Sequence, residues 1–463
     1  MAETTTIHSE KIFKRSVLTV TAFAAYLTPF LGSAVNLALP SIGKDLGANA
    51  IGLGWVMSSF ILSSAIFLLP FGRLADIAGR KKVFTAGIAL FTACTLAIVF
   101  SWNLATLIIL RIVQGISGAM IFGTSMAIIT SVFPAGERGR ALGINVTAVY
   151  LGLSTGPVIG GLLTHYLGWR SIFAFLVPFG IAAFILIKTK IKSEWADSKG
   201  EKFDLPGSVI YGISLFGVMY GFSKLPTVMG WIFLISGIVL SVVFVLFEKK
   251  AGNPVFDVRL FFRNRVFAFS GMAALINYSA TSAIGFFISL YLQYIKGFEA
   301  REAGLIMISQ PVAMALLSPV AGRLSDKYDP GRISSIGMGF TAAGLLALCF
   351  LKPETPVSVI IVLFVILGIG FGLFSSPNSN AIMSSVEKRY LGVASGVVGT
   401  MRMVGQMFSM GIAMMILSLF IGKQTINPST YPGFISGMKT AFVIFSILSF
   451  LGIFASLARN SKS

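Results

Sequence analysis

A glycine-flanked run of charged residues is the first segment whose spacing suggests chemistry. Gly72-Arg73-Leu74-Ala75-Asp76 is followed closely by Gly79-Arg80-Lys81-Lys82. Asp76 and Arg80 are four residues apart, so on a helical turn their side chains can form an ion pair. The glycines allow two helix ends to approach and turn tightly. We therefore expect an ion pair here that latches one conformational state.

Part of this segment occurs a second time. Gly322-Arg323-Leu324-Ser325-Asp326 repeats the first five positions 250 residues later, which adds Gly322 and Asp326 to the candidate latch. The copy departs after Asp326, where Asp329-Pro330-Gly331-Arg332 replaces the glycine turn. A second block repeats at a constant offset of 253, with Gly139, Ala141, Gly143, Thr147 and Gly152 matching Gly392, Ala394, Gly396, Thr400 and Gly405. Two blocks at nearly one offset predict a chain built from two related halves.

Two arginines, Arg111 and Arg402, lie inside apolar stretches. An arginine in the middle of a membrane costs about 2.5–3.5 kcal/mol on insertion scales, so each should face the bundle interior or a wet cavity. The alternative for Arg111 is a side chain that reaches the membrane surface from near a helix end. Arg402, Gln406 and Ser409 share one helix face, as a polar cavity lining would.

Carboxylates show the opposite pattern. All 17 Asp and Glu fall in predicted loops, tails or span ends, and none lies in the centre of an apolar stretch. Arginine cannot release a proton at physiological pH. The candidates that remain for carrying a proton are Asp76, His165 and the substrate itself.

The elements that must position these residues are membrane-spanning helices. Hydrophobic residues make up 55% of the 463, and charged residues 11%, against about 25% in soluble domains. A helix crosses the hydrocarbon core with about 20 apolar residues. Fourteen such stretches occur, at about 17–40, 52–72, 83–100, 104–132, 141–163, 169–187, 206–222, 231–247, 266–294, 303–322, 333–351, 357–383, 391–421 and 434–457.

The net charge of +19 is mostly a signal of topology. Of the 36 Lys and Arg, 26 fall in the termini and the loops on their side, 8 on the other side and 2 inside spans. Because positive residues concentrate on the cytoplasmic side of cell-membrane proteins, we expect both termini to be cytoplasmic. The basic residues are scattered over separate loops, which argues against a nucleic-acid partner.

The repeat and the spans together predict the domain organisation. We expect a cytoplasmic tail at 1–16, a six-helix bundle at 17–187, two extra helices with their flanking loops at 188–265, a second six-helix bundle at 266–457 and a tail at 458–463. Parallel repeats of this kind are typical of transporters whose substrate site lies between the halves near the bilayer midplane.

Three segments carry a resemblance to a known family. Residues 72–82 resemble the signature that the major facilitator superfamily carries between its second and third helices, and Leu110–Gly115 resembles its second signature. Gly152-Leu-Ser-Thr-Gly156-Pro157-Val-Ile-Gly160-Gly161 resembles the signature of its antiporters. Nearly the whole chain resembles the drug:proton antiporter branch with fourteen helices. The resemblance implies an all-α polytopic membrane protein with the major facilitator fold, in which two six-helix bundles are joined by two extra helices.

The antiporter-like segment also has a direct physical meaning. Its glycines, four apart, make a flat strip for close helix packing. Pro157 lacks the N–H that would bond to the Leu153 carbonyl, so it can bend the helix. Packing alone, without antiport, is the alternative explanation.

One departure from the family bears on the substrate. Many relatives carry an aspartate five residues before the first-helix asparagine, where this chain has Leu31. Because no carboxylate is expected in the centre of a span, the sequence favours neutral, zwitterionic or anionic amphiphiles over a cationic drug as the substrate. Candidate cavity residues are the polar side chains within spans: Asn36, Tyr150, Asn277, Gln310, Asn378 and Gln406.

The sequence therefore predicts a monomeric secondary-active exporter of small amphipathic molecules in the cell membrane. Its two halves would rock to give alternating access, with the proton gradient as energy source and no cofactor. The chain carries no nucleotide-binding loop, catalytic triad or metal-ligand cluster, so we do not expect an enzyme. The alternatives are a symporter or uniporter for an anionic metabolite, and a non-transporting membrane sensor or lipid-handling protein.

Overall fold

The computed structural model describes residues 2–191, 193–256, 258–387 and 391–459; Met1 and residues 460–463 of the predicted tails lie outside them. This part of the chain is all-helical and contains no strand. Fourteen helices are long and apolar enough to cross a membrane, which confirms the predicted number. They are α1 (Ile12–Leu46), α2 (Ala50–Ala78), α3 (Arg80–Val99), α4 (Leu104–Val132), α5 (Glu137–Leu167), α6 (Arg170–Lys190), α7 (Leu205–Lys224), α8 (Val228–Glu248), α9 (Arg265–Ile295), α10 (Ala300–Lys327), α11 (Pro330–Leu348), α12 (Val357–Ser384), α13 (Ala394–Phe420) and α14 (Tyr431–Ala458).

Short polar caps start several of these helices. The side chains of Asn49, Asn103 and Asn264 accept hydrogen bonds from backbone N–H groups three residues on, at the starts of α2, α4 and α9. Such caps satisfy donors that the first helical turn leaves unpaired. At Gly79, φ is +118°, a value that glycine adopts without strain. The chain reverses there between α2 and α3.

Three helices differ from the spans expected from the sequence. The first continues to Leu46, past Pro40, where the sequence suggested an end. α9 is interrupted after Thr281. The N–H of Ala283 donates to Oγ of Ser409 and not to a backbone carbonyl of the preceding helical turn. α10 breaks at Ile308, because Pro311 lacks the N–H that would bond to the carbonyl of Met307.

The packing of the helices repeats at an offset of eight. In the first half α1 packs on α5 and α6, α2 on α4, and α3 on α4 and α6. In the second half α9 packs on α13 and α14, α10 on α12, and α11 on α12 and α14. The halves meet where α2 packs on α13 and α5 on α10, two contacts that the repeat relates to each other. The fold therefore consists of two six-helix bundles related by the repeat seen in the sequence.

The extra helices α7 and α8 form a hairpin beside the junction of the halves. Gly217 on α7 approaches Gly237 on α8 so closely that a Cβ on Gly217 would lie 3.1 Å from the Gly237 Cα. The glycines that weaken the hydrophobicity of this span therefore allow close packing. α7 contacts both α2 and α13, one helix of each half. α8 presents a row of exposed apolar side chains, among them Ile232, Ile235 and Val239, which suits a lipid-facing surface.

Because the described residues form an even number of spans, the start of α1 and the end of α14 lie on one face of the bundle. We call it the terminal face; it carries the α2–α3 turn, the start of α7 and the end of α8. The opposite face carries the α1–α2 and α9–α10 connections.

Candidate functional site

The predicted latch forms an ion pair in the structure. Nε and Nη2 of Arg80 lie 2.9 and 2.8 Å from Oδ1 of Asp76. Nη1 of Arg80 donates to Oγ of Ser131 on α4, at 2.6 Å. Arg80 is mostly buried, with its side chain 11% exposed. The arginine thus joins α2, α3 and α4 at the terminal face.

A segment that the sequence did not connect with the latch lies across it. This linker, residues 193–204 between α6 and α7, places Asp197 Oδ2 2.7 Å from Nη2 of Arg80. The N–H of Arg80 donates to the carbonyl of Trp195, and the N–H of Lys81 to Oε1 of Glu194. A Cβ on Gly79 would collide with the Glu194 carboxyl, so the glycine makes room for the linker as well as for the turn.

The linker also holds the other arginine of the motif. Nη1 of Arg73 donates to Oγ of Ser198 at 3.1 Å, and Nη2 of Arg73 pairs with Glu201. Gly72, by contrast, has open space where a Cβ would point. The segment before the extra hairpin is thereby tied to Arg80 of the latch and to Arg73 of the same motif.

The second copy of the motif is built differently. Asp326 is exposed, and Nδ2 of Asn380 approaches its Oδ1 at 3.5 Å. Gly322 lies against Ser376 of α12. Asp329 caps α11 by accepting from the N–H of Gly331 at 2.8 Å, since the chain here starts a helix instead of making a glycine turn. The repeat therefore preserves helix packing but not the arginine-centred ion pair.

Arg111 lies within the first half, 1% exposed, and faces no opening in this conformation. Its Nε donates to the carbonyl of Val56 at 3.1 Å, and its Nη1 to Oε1 of Gln114 at 2.8 Å. Nε2 of Gln114 in turn donates to Thr95. The guanidinium also lies 4.7 Å from the centre of the Phe60 ring. Within the described residues, this charge contacts backbone, amide and aromatic groups from α2 and α4 and no carboxylate, and Thr95 of α3 binds the amide of Gln114.

Arg402 lies between the halves. Its guanidinium is 5.6 Å from the centre of the Phe122 ring on α4, in the other half. Arg402 and Tyr150 are both close enough to the Tyr278 hydroxyl to act on it electrostatically. Arg402 and Gln406 are partly exposed. The sequence pointed to Arg402, Tyr150 and Gln406, but it did not single out Tyr278 as their neighbour.

The hydroxyl of Tyr150 marks where α5 meets α10. It lies 2.8 Å from Oγ of Ser318. On the terminal-face side of this bond, α5 has exposed positions at Gly139, Gly143, Ile144 and Thr147. At Gly139, Gly143 and Gly396, no other described side chain or helix lies within 4 Å of the position that a Cβ would occupy. We call this space the terminal-face opening. Tyr150 on α5 and Arg402 and Gln406 on α13 are partly exposed and come after these glycines in the direction of the opposite face, and we call their position the inner end of the opening.

At the opposite face the halves are closed against each other. A Cβ on Gly161 would collide with the carbonyl of Ala300, and one on Gly304 with the carbonyl of Pro157, so α5 and α10 touch through their backbones. Nδ1 of His165 lies 3.3 Å from Oε2 of Glu299 across the same junction. Backbone contacts of this kind require glycine, because any side chain would separate the helices.

The antiporter-like segment supplies much of this packing. Three of its glycines face α1. A Cβ on Gly152 would meet the backbone of Tyr26 and Phe30, one on Gly156 would meet the side chain of Ser33, and one on Gly160 would meet Ala34. Gly161 and Pro157 meet α10 instead. The segment thus holds α5 against one helix of its own half and one of the other half.

The remaining polar candidates divide into two groups. Asn36 and Gln310 are partly exposed, and Asn36 faces α9, where Oγ of Ser289 donates to its carbonyl. Asn277 is fully buried, with no hydrogen-bond partner for its amide. Asn378 is 2% exposed. Neither Asn277 nor Asn378 lines the terminal-face opening, which differs from the position expected from the sequence.

Asn378 is occupied by a group that the sequence analysis missed. Nη1 of Arg459 donates to Oδ1 of Asn378 at 3.0 Å and to Oγ of Ser270 at 2.9 Å, while its Nη2 donates to the carbonyl of Pro330. Burial lowers the pKa of Arg459 to about 10, so the group stays charged near neutral pH. Arg459 joins the ends of α9, α11 and α12 at the terminal face. Only its place in a basic tail was visible in the sequence.

Comparison with known proteins agrees with this architecture. The family model described as Major Facilitator Superfamily matches residues 21–410 and, in a second match, residues 270–462. The chain belongs to the major facilitator superfamily. As a member of this superfamily it is a multi-pass membrane transporter.

Individual relatives of this major facilitator protein carry different names. The chain is 30% identical over 443 residues to the riboflavin transporter RibZ of Clostridioides difficile, covering 94% of this chain and 95% of that protein. It is 28% identical to the tetracenomycin C resistance and export protein of Streptomyces glaucescens, over 84% of this chain and 73% of that one. The human organic anion transporter MFSD10 has the same fold, with a TM-score of 0.67 at 14% identity over 96% of this chain and 99% of that one.

Proposed function

We propose that this transporter is a secondary-active exporter of amphipathic small molecules that exchanges its substrate for protons. The two six-helix halves alternate access by rocking about the contacts of α2 with α13 and of α5 with α10. It works as a monomer in the cell membrane, with both termini in the cytoplasm and no cofactor. The 26-to-8 distribution of Lys and Arg supports this orientation.

The observation that carries the proposal is the unequal closure of the two faces. At the opposite face, α5 and α10 touch through the backbones at Gly161 and Gly304. At the terminal face, the glycines Gly139, Gly143 and Gly396 border open space. A central site reachable from one face at a time is what alternating access requires. In the proposed orientation this is the state that takes up substrate from the cytoplasm.

The groups at the inner end of the opening indicate the substrate class. Arg402 provides positive charge, and Tyr150, Tyr278 and Phe122 provide aromatic surface. Every Asp and Glu lies outside the centres of the spans. A site with a cation, aromatic rings and no carboxylate favours neutral or anionic amphiphiles over cations. Several relatives are named as export or resistance proteins, which supports export as the direction.

The test is a transport assay with purified protein in proteoliposomes loaded with a pH-sensitive dye. The panel contains one anionic, one neutral and one cationic amphiphile of similar size. We expect protons to flow down an imposed pH gradient while the anionic and neutral compounds cross the membrane in the opposite direction. Preference for the cation, or transport that ignores the gradient, would reject the proposal in this form.

A second candidate is uptake of an anionic metabolite by symport or uniport. It is favoured by the positive charge of Arg402 at the inner end of the opening, and the relative named as a riboflavin transporter shows that a protein similar to this chain carries a metabolite. The same panel, extended by riboflavin, separates the two. Protons that move in the same direction as the substrate would indicate symport, and substrate movement without protons would indicate uniport.

A further inference from the structure

Two carboxyl groups meet at the terminal-face end of the extra hairpin. Asp204 caps α7, and its Oδ1 accepts from the N–H of Gly207 at 2.9 Å. Glu248 is the last residue of α8, and its Oε2 accepts from the N–H of Phe256 at 3.0 Å. Each carboxyl group therefore uses one oxygen to hold the backbone where the hairpin begins or ends.

The second oxygen of each group lies beside Gly207. Oδ2 of Asp204 and Oε1 of Glu248 are both buried, and no described residue has a hydrogen bond to either atom. The backbone of Val255, next to Phe256, also acts on the Glu248 carboxyl group. A Cβ on Gly207 would collide with both oxygens at once, and the two carboxyl groups lie within hydrogen-bonding reach of each other. Glu248 is 0% exposed. A fully buried glutamate with an unpartnered oxygen needs something to satisfy that oxygen.

The charged groups of the described residues do not supply it. Among these residues, Asp204 is the charged side chain that acts on Glu248. Basic residues on the neighbouring segments are exposed, and Arg259 donates to the carbonyls of Lys249 and Ala251; the others are Lys202, Lys249 and Lys250. Two ionised carboxylates in this position would repel each other in a poorly solvated site. One proton between the two oxygens turns the repulsion into a charge-assisted hydrogen bond.

We propose that Asp204 and Glu248 form a proton-binding site that closes the terminal-face end of the α7–α8 hairpin. The shared proton is donated by one carboxyl group and accepted by the other. The site lies outside the terminal-face opening and holds its proton whether or not transport is coupled to protons. It therefore goes beyond the proposed function.

The position of the pair gives its protonation a consequence. Asp204 ends the linker whose Asp197 and Glu201 bind Arg80 and Arg73 of the latch. The hairpin that the pair closes packs on α2 and α13, one helix of each half. When the pH on the terminal face rises and the pair loses its proton, repulsion separates the end of α8 from the start of α7. The distance between the start of α7 and the end of α8 therefore depends on pH. This end of the hairpin connects the linker that binds Arg80 with the helices α2 and α13 at the junction of the halves.

The first test is infrared difference spectroscopy of the full chain in lipid nanodiscs, without substrate or gradient. We expect the carbonyl stretch of a protonated carboxylic acid, which disappears as the pH is raised. Glu248→Gln and Asp204→Asn each replace the shared proton with an amide donor, so each should remove the band while keeping the hydrogen bond. Glu354→Gln, at an exposed carboxylate on the opposite face, is the control and should leave the band unchanged.

The second test measures whether the hairpin end opens. Spin labels on Lys202→Cys and Lys250→Cys, both exposed, should move apart as the pH rises in the otherwise unchanged chain. With Glu248→Gln added, the distance should stay short at every pH. Absence of the infrared band, or the same pH response with Glu248→Gln, would overturn the proposal. A band that depends on added cations instead of pH would overturn it in favour of a metal ion bridging the carboxylates. Since neither measurement involves transport, failure of the proposed function would leave both results unaffected.

Discussion

The guanidinium of Arg80 lies 2.7 Å from Oδ2 of Asp197, so the linker before the extra hairpin is tied to the α2–α3 turn. The other partners of this guanidinium, Asp76 and Ser131, belong to the first six-helix half. The latch thus holds the linker to its own half in the state where the opposite face is closed. Movement of the linker away from this turn must break the Arg80–Asp197 pair.

Asp197→Asn should release the linker without unfolding the protein. The side chain of Asp197 is 69% exposed, and exposed ion pairs contribute about 0–1 kcal/mol. We expect faster hydrogen exchange in residues 193–203 and a melting temperature close to that of the parent. Lys199→Ala, an exposed change on the same linker, is the control. Equal exchange in the two variants would show that the Arg80–Asp197 pair does not hold the linker.

Asp76→Asn should slow transport while leaving insertion and folding intact. It removes the charge that faces Arg80 within the turn, although Asp197 and Ser131 remain as partners. A ligand or mutation changes the balance of conformations only by what it does differently to each state. The rate of transport per inserted molecule is the measurement, and Asp326→Asn, at the exposed repeat position, is the matched control. A normal rate with Asp76→Asn would remove this residue from the mechanism.

Arg111→Gln should destabilise the first half. Arg111 is buried and holds the carbonyl of Val56 and the amide of Gln114, so the substitution leaves buried polar atoms unpaired. Each such atom costs about 1–3 kcal/mol. We expect a lower melting temperature and reduced transport in proportion to the folded fraction. Loss of transport at an unchanged melting temperature would show instead that Arg111 takes part in transport directly.

Arg402→Gln should impair transport without lowering the melting temperature. Arg402 is partly exposed at the inner end of the terminal-face opening, and its contacts with Phe122 and Tyr278 are not those of a buried network. We expect the melting temperature to stay near that of the parent. The Michaelis constant for the anionic amphiphile should rise, while that for the neutral one changes little. Arg402→Lys keeps the charge and should restore part of the difference; equal effects on both substrates would argue against charge recognition.

The sequence predicted the features that depend on composition and local spacing. Fourteen apolar stretches gave fourteen helices, and the repeated Gly-Arg-Leu-x-Asp blocks correspond to helices that pack alike in both halves. It could not predict that Asp197 reaches Arg80, because their proximity depends on how the linker folds back over more than a hundred residues. The positions of Asn378 and Ser409 were missed for a related reason. The sequence pattern around a polar residue within a span does not show whether its side chain lines an opening, binds Arg459 as Asn378 does, or binds the backbone at a break in α9 as Ser409 does.

Gly304→Ala should open the opposite face. The added Cβ would collide with the carbonyl of Pro157, and this backbone cannot move without separating α5 from α10. Each ~1.4 kcal/mol of destabilisation changes the ratio of two states about tenfold. We therefore expect a larger fraction of molecules with that face open. The measurement is the rate at which an impermeant maleimide modifies Ala303→Cys, which is fully buried in the closed state, after Cys94 and Cys349 have been replaced by serine.

The matched control for this prediction is Gly339→Ala. Gly339 also lies in a membrane-spanning helix, but nothing stands within 4 Å of its Cβ position, so alanine can be accommodated. Modification of Ala303→Cys should be faster with Gly304→Ala and unchanged with Gly339→Ala, while both variants elute as folded protein. If the two rates agree, the backbone contact between Gly304 and Pro157 does not control access from the opposite face. If the rate rises only together with loss of the folded peak, alanine at 304 unfolds the bundle instead of opening it.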